Sequence, residues 1–261
     1  MFILDSIPNA RELGGYTLPG GRVVKHDLLL RGGSLNGISD DDILLLREKF
    51  KLKKIFDFRT GTEVRMMPDR EIPDARRFWM PAFNEETMHE EKLALPHGAY
   101  KDLGGWLVEH ASLKSTQEVA RKMYTTMVTN EFTQIQYAGF LQNIVGTADG
   151  AVYWHCSQGK DRTGLAAAFV LAALGADRDT IMKDYAISGE YYRKDLDLYI
   201  DRVSSPEEKA AMRTFISVNC DYFADALDEI DRKWGSMANY LSGPLCLSDD
   251  DMDIMQKRYL E

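Results

Sequence analysis

The pattern of apolar residues predicts that strands lie mainly before position 160 and that helices dominate after it. Apolar runs at residues 52–58 and 151–155 are typical of buried strands, and residues 77–80 are a further short candidate. Two β-like runs within residues 22–31 are bounded by glycine pairs, which favour turns. This order fits a small sheet in the first part of the chain that helices surround.

Capping residues mark where several helices begin. Ser39 is followed by three aspartates, which is typical of an N-cap with an acidic first turn. Ser248 repeats this pattern, and Ser205 precedes a proline and two glutamates, as at the start of a helix. The helix after Ser39 is expected to place three apolar residues on one face, namely Ile43, Leu46 and Phe50.

The middle and end of the chain complete the predicted order. Residues 115–145 favour two helices that break near residue 130, and residues 162–174 favour an apolar helix that ends at Gly175. From residue 177 onward the pattern is mostly helical. We therefore predict an α/β fold with a small, mostly parallel central sheet surrounded by helices and a helix-rich C-terminal half. We expect one domain over residues 1–261.

The segment at residues 83–112 is more polar than its neighbours and contains a proline and several glycines. Such a segment is either a lid or an insertion over a site, or a plain surface loop with one short helix. The sequence favours neither interpretation over the other.

Composition narrows the classes of function. With 41 acidic and 32 basic residues, the net charge of −9 argues against non-specific binding of nucleic acid, which needs a basic face. No apolar run is long enough for an integral membrane segment, and the N-terminus lacks the features of a signal peptide. Three cysteines without paired spacing indicate a reducing compartment, so we expect a cytoplasmic protein. Secretion without a signal peptide would leave no mark in the sequence, and the sequence does not indicate the oligomeric state.

Residues 155–164, with the sequence HCSQGKDRTG, join a predicted strand to a predicted helix. A tight loop that enters a helix N-terminus turns its backbone N–H groups toward one point, where the helix dipole also favours an anion. The same field favours the thiolate of Cys156, which is the nucleophilic form of the side chain. Arg162 can bind two phosphate oxygens through its planar guanidinium. The loop therefore predicts a phosphate site with a cysteine nucleophile.

Other residues of the loop have expected supporting roles. Gly159 permits backbone angles that other residues resist. Lys160 adds positive charge and is a candidate ligand for a second phosphate, and the hydroxyl of Thr163 is a candidate donor to the thiolate. His155 is expected to hold the loop through hydrogen bonds to its backbone. The substrate-binding residues predicted from the loop are Ser157, Gln158, Gly159, Lys160 and Thr163.

The loop and several other segments resemble the atypical bacterial tyrosine and phosphoinositide phosphatases, which are relatives of the protein tyrosine phosphatases. A His-Cys pair, five further residues and Arg-Thr-Gly form the signature that residues 155–164 match. The other matching segments are Asn9–Tyr16, Arg31–Gly33, Asp57–Thr60 with Glu63, and Asp184–Tyr185. The resemblance covers most of the chain and implies a protein tyrosine phosphatase-like fold.

The resemblance also implies a two-step hydrolysis that needs no metal and no cofactor. Cys156 attacks phosphorus, an acid protonates the leaving oxygen, and water then hydrolyses the thiophosphate. Related lipid phosphatases use an aspartate directly before the arginine as the acid, which favours Asp161, and Asp57 is its rival. Asp57 and Arg59 otherwise form a supporting pair. The expected substrates are phosphorylated proteins or phosphoinositides, so that phosphotyrosine, phosphoserine, phosphothreonine and lipid all stay open.

Two other classes of function compete with a phosphatase. A non-catalytic module would bind a phosphorylated partner in the loop without cleaving it, although the complete set of Cys156, Asp161 and Arg162 argues against this. A redox or sulfur-transfer enzyme is a weaker alternative, because no resolving cysteine lies near the loop. Cys220 and Cys246 lack basic neighbours of this kind, and no second ligand pair at metal spacing accompanies His155.

Overall fold

The computed structural model describes residues 2–84, 86–87, 113–200, 206, 209–210, 213 and 217–261, with the side chains of 113–116 and 193–200 excepted. The strands are β1 (Arg11–Glu12), β2 (Leu29–Gly32), β3 (Lys54–Asp57), β4 (Arg76–Trp79) and β5 (Val152–His155). The first helices are α1 (Asp40–Glu48), α2 (Gly61–Met66), α3 (Leu113–Thr129) and α4 (Glu131–Val145). They are followed by α5 (Asp161–Ala173), α6 (Arg178–Ile200), α7 (Cys220–Trp234), α8 (Met237–Ser242) and α9 (Asp249–Tyr259).

The five strands form one sheet in the order β1-β2-β5-β3-β4. Only β1 is antiparallel to its neighbour, and β2, β5, β3 and β4 run parallel. In this register His155 pairs with Gly32 on one side and with Asp57 on the other. The loops that follow three neighbouring strands therefore begin at the same edge of the sheet, where ligands bind in open α/β sheets. The predicted α/β class with a mostly parallel sheet is confirmed.

The central strand β5 separates two apolar cores. Because side chains alternate along a strand, Val152 and Trp154 face the larger core while Tyr153 faces the smaller one. The larger core also contains the apolar residues of α5, which runs back from the end of β5. The smaller core is built mainly from residues of the first 75 positions. The loop after β5 is thus fixed by packing on both faces of the sheet.

Predicted helix starts agree with the structure, and some details differ. The Ser39 hydroxyl accepts a hydrogen bond from the backbone N–H of Asp42 at 3.2 Å, and Ser248 caps α9 in a capping box. Helix α1 ends at Glu48, so Phe50 lies just beyond the helix that was expected to carry it, although its side chain is still buried. Helix α5 begins at Asp161, one residue before the predicted start.

The first part of the chain contains less sheet than its pattern predicts. Val23 and Val24 form only isolated bridges, with Thr17 and Leu260, because the C-terminus rather than a neighbouring strand lies beside them. The two-residue strand β1 was not predicted, since its residues are a charged pair without an apolar run.

Two expectations fall largely on residues outside those that the structure describes. The segment at 83–112, interpreted as either a lid or a surface loop, is described only at residues 83, 84, 86 and 87. The predicted helix start at Ser205 also lies outside the described residues. Within the part of the chain that is described, no helix is both long enough and apolar enough to cross a membrane.

Candidate active site

The loop between β5 and α5 is held by donors that bind its backbone carbonyls. The Asn9 amide and the Arg31 guanidinium donate to the carbonyl of Gly159 at 2.8 and 2.9 Å. The remaining bonds are Ser34 N–H to the carbonyl of Ser157 (3.2 Å), Tyr192 hydroxyl to that of Gln158 (2.5 Å) and Tyr137 hydroxyl to that of Arg162 (3.0 Å). Because the C=O and N–H groups of a trans peptide point in opposite directions, these bonds turn the loop amides away from the protein body.

The amides of the loop are available on the opposite side. Among the described residues, no acceptor binds the backbone N–H groups of Ser157, Gln158 or Gly159. Helix α5 begins only two residues later, so the unpaired N–H groups of its first turn extend the same row of donors. Successive N–H groups beside a helix N-terminus are a binding site for an anion such as phosphate.

Gly159 is required by the shape of the loop. Its φ angle of 68° lies in the left-handed region that favours glycine. A Cβ atom at this position would lie 2.2 Å from the carbonyl carbon of Gly32 at the end of β2. Any side chain would therefore push the loop away from the strand beside it.

A buried ion-pair frame lies on the protein side of the loop. Asp184 of α6 accepts a hydrogen bond from Arg11 at 3.1 Å and another from Arg31, which also binds the loop. The hydroxyl of Tyr16 donates to the same carboxylate at 3.3 Å. Two guanidinium groups share one carboxylate, so this frame leaves net positive charge close to the site where an anion would bind. Arg11 and Arg31 are therefore ion-pair partners of Asp184.

Arg162 is fixed by Glu63 of α2. The two guanidinium nitrogens Nη1 and Nη2 donate to the two carboxylate oxygens at 2.6 and 2.8 Å, and the Ser157 hydroxyl donates to Glu63 at 2.5 Å. Burial alone would raise the pKa of Glu63, but the charge of Arg162 and these hydrogen bonds lower it to about 2. Glu63 also closes a capping box with Thr60, which fixes its own position. Arg162 thus keeps its orientation through a residue on a different helix.

Replacing Glu63 by glutamine is expected to destabilise the fold by about 3 kcal/mol at pH 7, because it removes the charge that Arg162 needs. Since the folded pKa of about 2 lies below the ordinary value of 4.5, this contribution is complete above pH 4.5 and is lost as the pH falls toward 2. Urea unfolding at several pH values should show the two proteins converging at low pH. Glu229→Gln, which removes an exposed pair with Arg232, is the control and should change little. A gap between Glu63→Gln and the parent that does not depend on pH would contradict the assignment.

Asp161, the first residue of α5, is partly exposed at the rim of the loop. Its Oδ1 atom accepts a hydrogen bond from the hydroxyl of Tyr124, and its Oδ2 atom lies 3.9 Å from the ammonium group of Lys160. The Lys160 side chain is only 4% exposed, and its ammonium group lies 3.5 Å from the carbonyl oxygen of Ser217. The charge of Lys160 is therefore close to the loop. Its ammonium group points into the protein, however, and not toward the solvent from which a second phosphate would approach.

Asp57, the rival acid, is buried and fully engaged. Its carboxylate accepts hydrogen bonds from Nε and Nη2 of Arg59 at 2.9 Å each, and a further one from Arg77. Burial alone would raise the pKa of Asp57, but the charge of His155 and the bonds from Arg59 outweigh it and lower the pKa. The Asp57 carboxylate therefore holds no proton to give and has no exposed edge.

His155 connects the buried ion pairs of Asp57 to the loop. Its Nδ1 atom lies 3.2 Å from the carbonyl oxygen of Cys156, and its Nε2 atom lies 3.2 Å from a carboxylate oxygen of Asp69. Three atoms from Asp57, Asp69 and His155 lie close enough together to hold a metal ion. The guanidinium groups of Arg59 and Arg77 contact the same two carboxylates, at 2.8 and 3.3 Å for Asp69, so they already supply the positive charge. The group is therefore built as an ion-pair network.

The structure brings most of the predicted site residues together. Cys156 lies at the start of the loop with 1% of its surface exposed, so a substrate must extend its phosphate into the loop to reach the sulfur. The Thr163 hydroxyl is buried and has no hydrogen-bond partner among the described residues, so the expected donation to sulfur is not seen. Asp57, Arg59 and His155 form the network behind the loop and do not line it.

Three residues with important contacts were not identified as site residues from the sequence. Glu63 appeared only within a matching segment, and Asp69 and Tyr124 did not appear at all. Glu63 is separated from Arg162 by 99 residues and Tyr124 from Asp161 by 37. The one local signal was the capping box of Thr60 and Glu63, which predicts a helix start and gives no indication of an arginine partner.

Comparisons with known proteins agree with this geometry. A model of the tyrosine phosphatase family matches residues 2–261. A candidate tyrosine-protein phosphatase of Cupriavidus necator is 28% identical over 257 residues, which cover 97% of this chain and 85% of that protein. The triple specificity protein phosphatase PtpB of Mycobacterium tuberculosis is 27% identical over 82% of this chain and 84% of its own length. A tyrosine-protein phosphatase of Nostoc commune is 42% identical over 59 residues, 23% of this chain and 20% of its own. The chain therefore belongs to the tyrosine phosphatase family and is a hydrolase of the protein tyrosine phosphatase type.

Proposed function

We propose that this phosphatase hydrolyses phosphate monoesters through a phosphocysteine intermediate on Cys156. The observation that carries the proposal is the set of bonds from the protein body to the loop carbonyls of 157–159, which turns the amides of 158–160 toward the side where a phosphate would bind. In this mechanism the backbone donors and the Arg162 guanidinium bind the three phosphate oxygens and stabilise their negative charge in the transition state.

The first step forms a bond between the Cys156 sulfur and phosphorus while the bond from phosphorus to the leaving oxygen breaks. The thiolate supplies the electron pair, and the leaving oxygen takes a proton from Asp161. In the second step water attacks the phosphorus and gives a proton to the Asp161 carboxylate. The sulfur then leaves as a thiolate together with inorganic phosphate, and both groups return to their starting forms.

Asp161 is proposed as the acid and base, and Asp57 as a structural residue. Asp161 is partly exposed at the rim of the loop, directly before the arginine that binds the phosphate. Asp57 is buried among guanidinium groups, so it has neither a proton to give nor access to a leaving group. The lowered pKa of Asp57 supports this division.

Phosphotyrosine is the proposed preferred substrate. Because Cys156 is buried, the phosphate must be carried on a side chain long enough to reach into the loop. The ammonium group of Lys160 lies inside the protein, which weakens the case that it binds a second phosphate of an inositide. The mycobacterial relative is named a triple specificity phosphatase, so a wider range of substrates is also proposed for testing, namely phosphoserine, phosphothreonine and phosphoinositides.

The test is turnover by the purified protein on a panel of a phosphotyrosine peptide, a matched phosphoserine peptide and a phosphoinositide. We expect turnover in the presence of EDTA, inhibition by vanadate, and a value of kcat/KM for the phosphotyrosine peptide about tenfold or more above the others. Activity that requires added metal would contradict the cysteine mechanism. Tight binding of the phosphotyrosine peptide without any turnover would instead support the non-catalytic module.

A further inference from the structure

Side chains of α3 and α6 form a hydrogen-bonded chain that ends on the side chain of Asp161. Tyr124 of α3 donates its hydroxyl proton to the Oδ1 atom, and the hydroxyl oxygen of Tyr185 of α6 lies 2.5 Å from that of Tyr124. The Tyr185 ring stacks on Phe223 of α7, with the ring centres 4.0 Å apart. A Cβ atom at position 164 would lie 3.0 Å from the Tyr185 ring, so the glycine there allows Tyr185 to approach α5. These buried contacts fix both hydroxyl groups.

The hydrogen bonds in this chain have one direction. Each phenol has one proton, and that of Tyr124 is used on Asp161. The short contact between the two hydroxyls must therefore be made by the proton of Tyr185, which is donated to the oxygen of Tyr124. Burial, and next the charge of Asp161, raise the pKa values of Tyr124 and Tyr185 well above 10, so both donors keep their protons near neutral pH.

We propose that Tyr124 is a positioning residue for Asp161, and that Tyr185 supports it as the second donor of a directed chain. This inference rests on the proposed role of Asp161 as the acid and base. The bond to Oδ1 fixes the carboxyl rotamer, so that Oδ2 is the atom left to hand a proton to the leaving oxygen and to receive one from water. Positioning of this kind contributes to the rate because proton transfer requires the acid within hydrogen-bond reach.

The surroundings of Asp161 are consistent with this division between its two oxygens. Among the described residues, the charged and titratable groups that interact with it are Tyr124 of α3, Tyr137 of α4, Lys160 of the loop, Arg162 of α5, and Tyr185 and Tyr192 of α6. Of these, the Tyr124 hydroxyl occupies Oδ1, and Lys160 lies on the side of Oδ2 at 3.9 Å. A cavity of about 20 Å³ between Tyr124, Lys160 and Asp161 has room for one water molecule.

The experiment compares two leaving groups in the full-length protein. An alkyl phosphate needs the acid to protonate its leaving oxygen, whereas p-nitrophenyl phosphate releases a stable phenolate and needs it little. Asp161→Asn is expected to lower kcat/KM for the alkyl phosphate about 100-fold more than for the aryl one, because kcat/KM reports formation of the phosphocysteine and not the hydrolysis step that both substrates share. Tyr124→Phe should show the same selective loss at about tenfold, and Tyr185→Phe a smaller one, with KM nearly unchanged in both.

The matched control is Tyr240→Phe. The Tyr240 hydroxyl is also buried and donates to the carbonyl of Val128 in the same helix as Tyr124, at 2.8 Å, but it does not contact Asp161. This variant should affect both substrates equally. Thermal melting establishes that each variant is folded. If Tyr124→Phe does not fold, Tyr185→Phe is compared with Asp161→Asn and Tyr240→Phe in its place.

The outcomes separate the two proposals. A selective loss in Asp161→Asn without one in Tyr124→Phe or Tyr185→Phe would overturn the positioning role and leave the acid in place. Equal losses on both substrates in Asp161→Asn would overturn the role of the acid itself, and with it the inference built on it. A selective loss in Tyr240→Phe equal to that in Tyr124→Phe would show that the effect comes from packing of the helix, which also contradicts the proposal.

Discussion

Serine in place of Cys156 is expected to lower turnover of p-nitrophenyl phosphate by about 10⁴-fold or more, because an alcohol at neutral pH is a far weaker nucleophile than a thiolate. The substitution exchanges the sulfur atom for oxygen and leaves the loop amides and Arg162 in place. Binding of a phosphotyrosine peptide should therefore be retained, and isothermal titration would measure it. Retained binding with lost turnover distinguishes a nucleophile from a residue that merely shapes the loop.

Two further cysteines provide matched controls for this substitution. Cys246 is exposed and Cys220 is half-buried, and neither forms a disulfide. Serine at either position should leave kcat and KM within about twofold of the parent, since surface substitutions have small effects. Turnover by Cys156→Ser within 100-fold of the parent would rule out a covalent intermediate on this residue.

Lysine in place of Arg162 is expected to reduce kcat by roughly 10³-fold, which is within the range for the loss of an arginine that stabilises a transferring phosphoryl group. Lysine keeps the positive charge but cannot make two parallel hydrogen bonds to phosphate oxygens. It also cannot reproduce the paired bonds of Nη1 and Nη2 to Glu63, so the charge that remains is no longer held in a fixed orientation. Steady-state kinetics with the phosphotyrosine peptide would measure both kcat and KM.

Arg178→Lys is the matched control for this second substitution. Arg178 lies at the exposed start of α6 and pairs with Asp228 and Asp231 at 2.5 and 3.4 Å. Its replacement should leave the kinetics unchanged because these ion pairs are solvent-exposed. If Arg162→Lys retains kcat within tenfold of the parent, fixed guanidinium geometry is not what stabilises the transition state.

The loop region could be predicted from the sequence because its signals are local. A strand, a tight turn and a helix follow one another within residues 151–174, and the glycine, arginine and cysteine fall within ten positions. The order of strand, loop and helix is confirmed, and so is the mostly parallel sheet. Helix starts at Ser39 and Ser248 were also predictable, since an N-cap and the aspartates after it act within one turn.

The contacts that orient the site could not be predicted in the same way. Glu63 meets Arg162 only because the loops after β3 and β5 begin at one edge of the sheet, and strand order is not encoded in any single segment. Tyr124 reaches Asp161 because α3 packs against α4 and α7, an arrangement that depends on the whole larger core. The position of Asp57 at a strand end makes it a candidate acid from the sequence, whereas its burial among Arg59 and Arg77 depends on how the strands and loops assemble.

The bonds that hold the loop carbonyls have a consequence for the end of the reaction cycle. Asn9, Arg31 and Tyr192 keep the loop in shape through contacts with the protein itself, so no part of the binding energy of a phosphate is spent on ordering it. Because the loop is already ordered, inorganic phosphate binds without an ordering cost, just as a phosphorylated protein does. If the proposed mechanism holds, we therefore expect the released product to compete with new substrate for the same amides, so that turnover slows as phosphate accumulates.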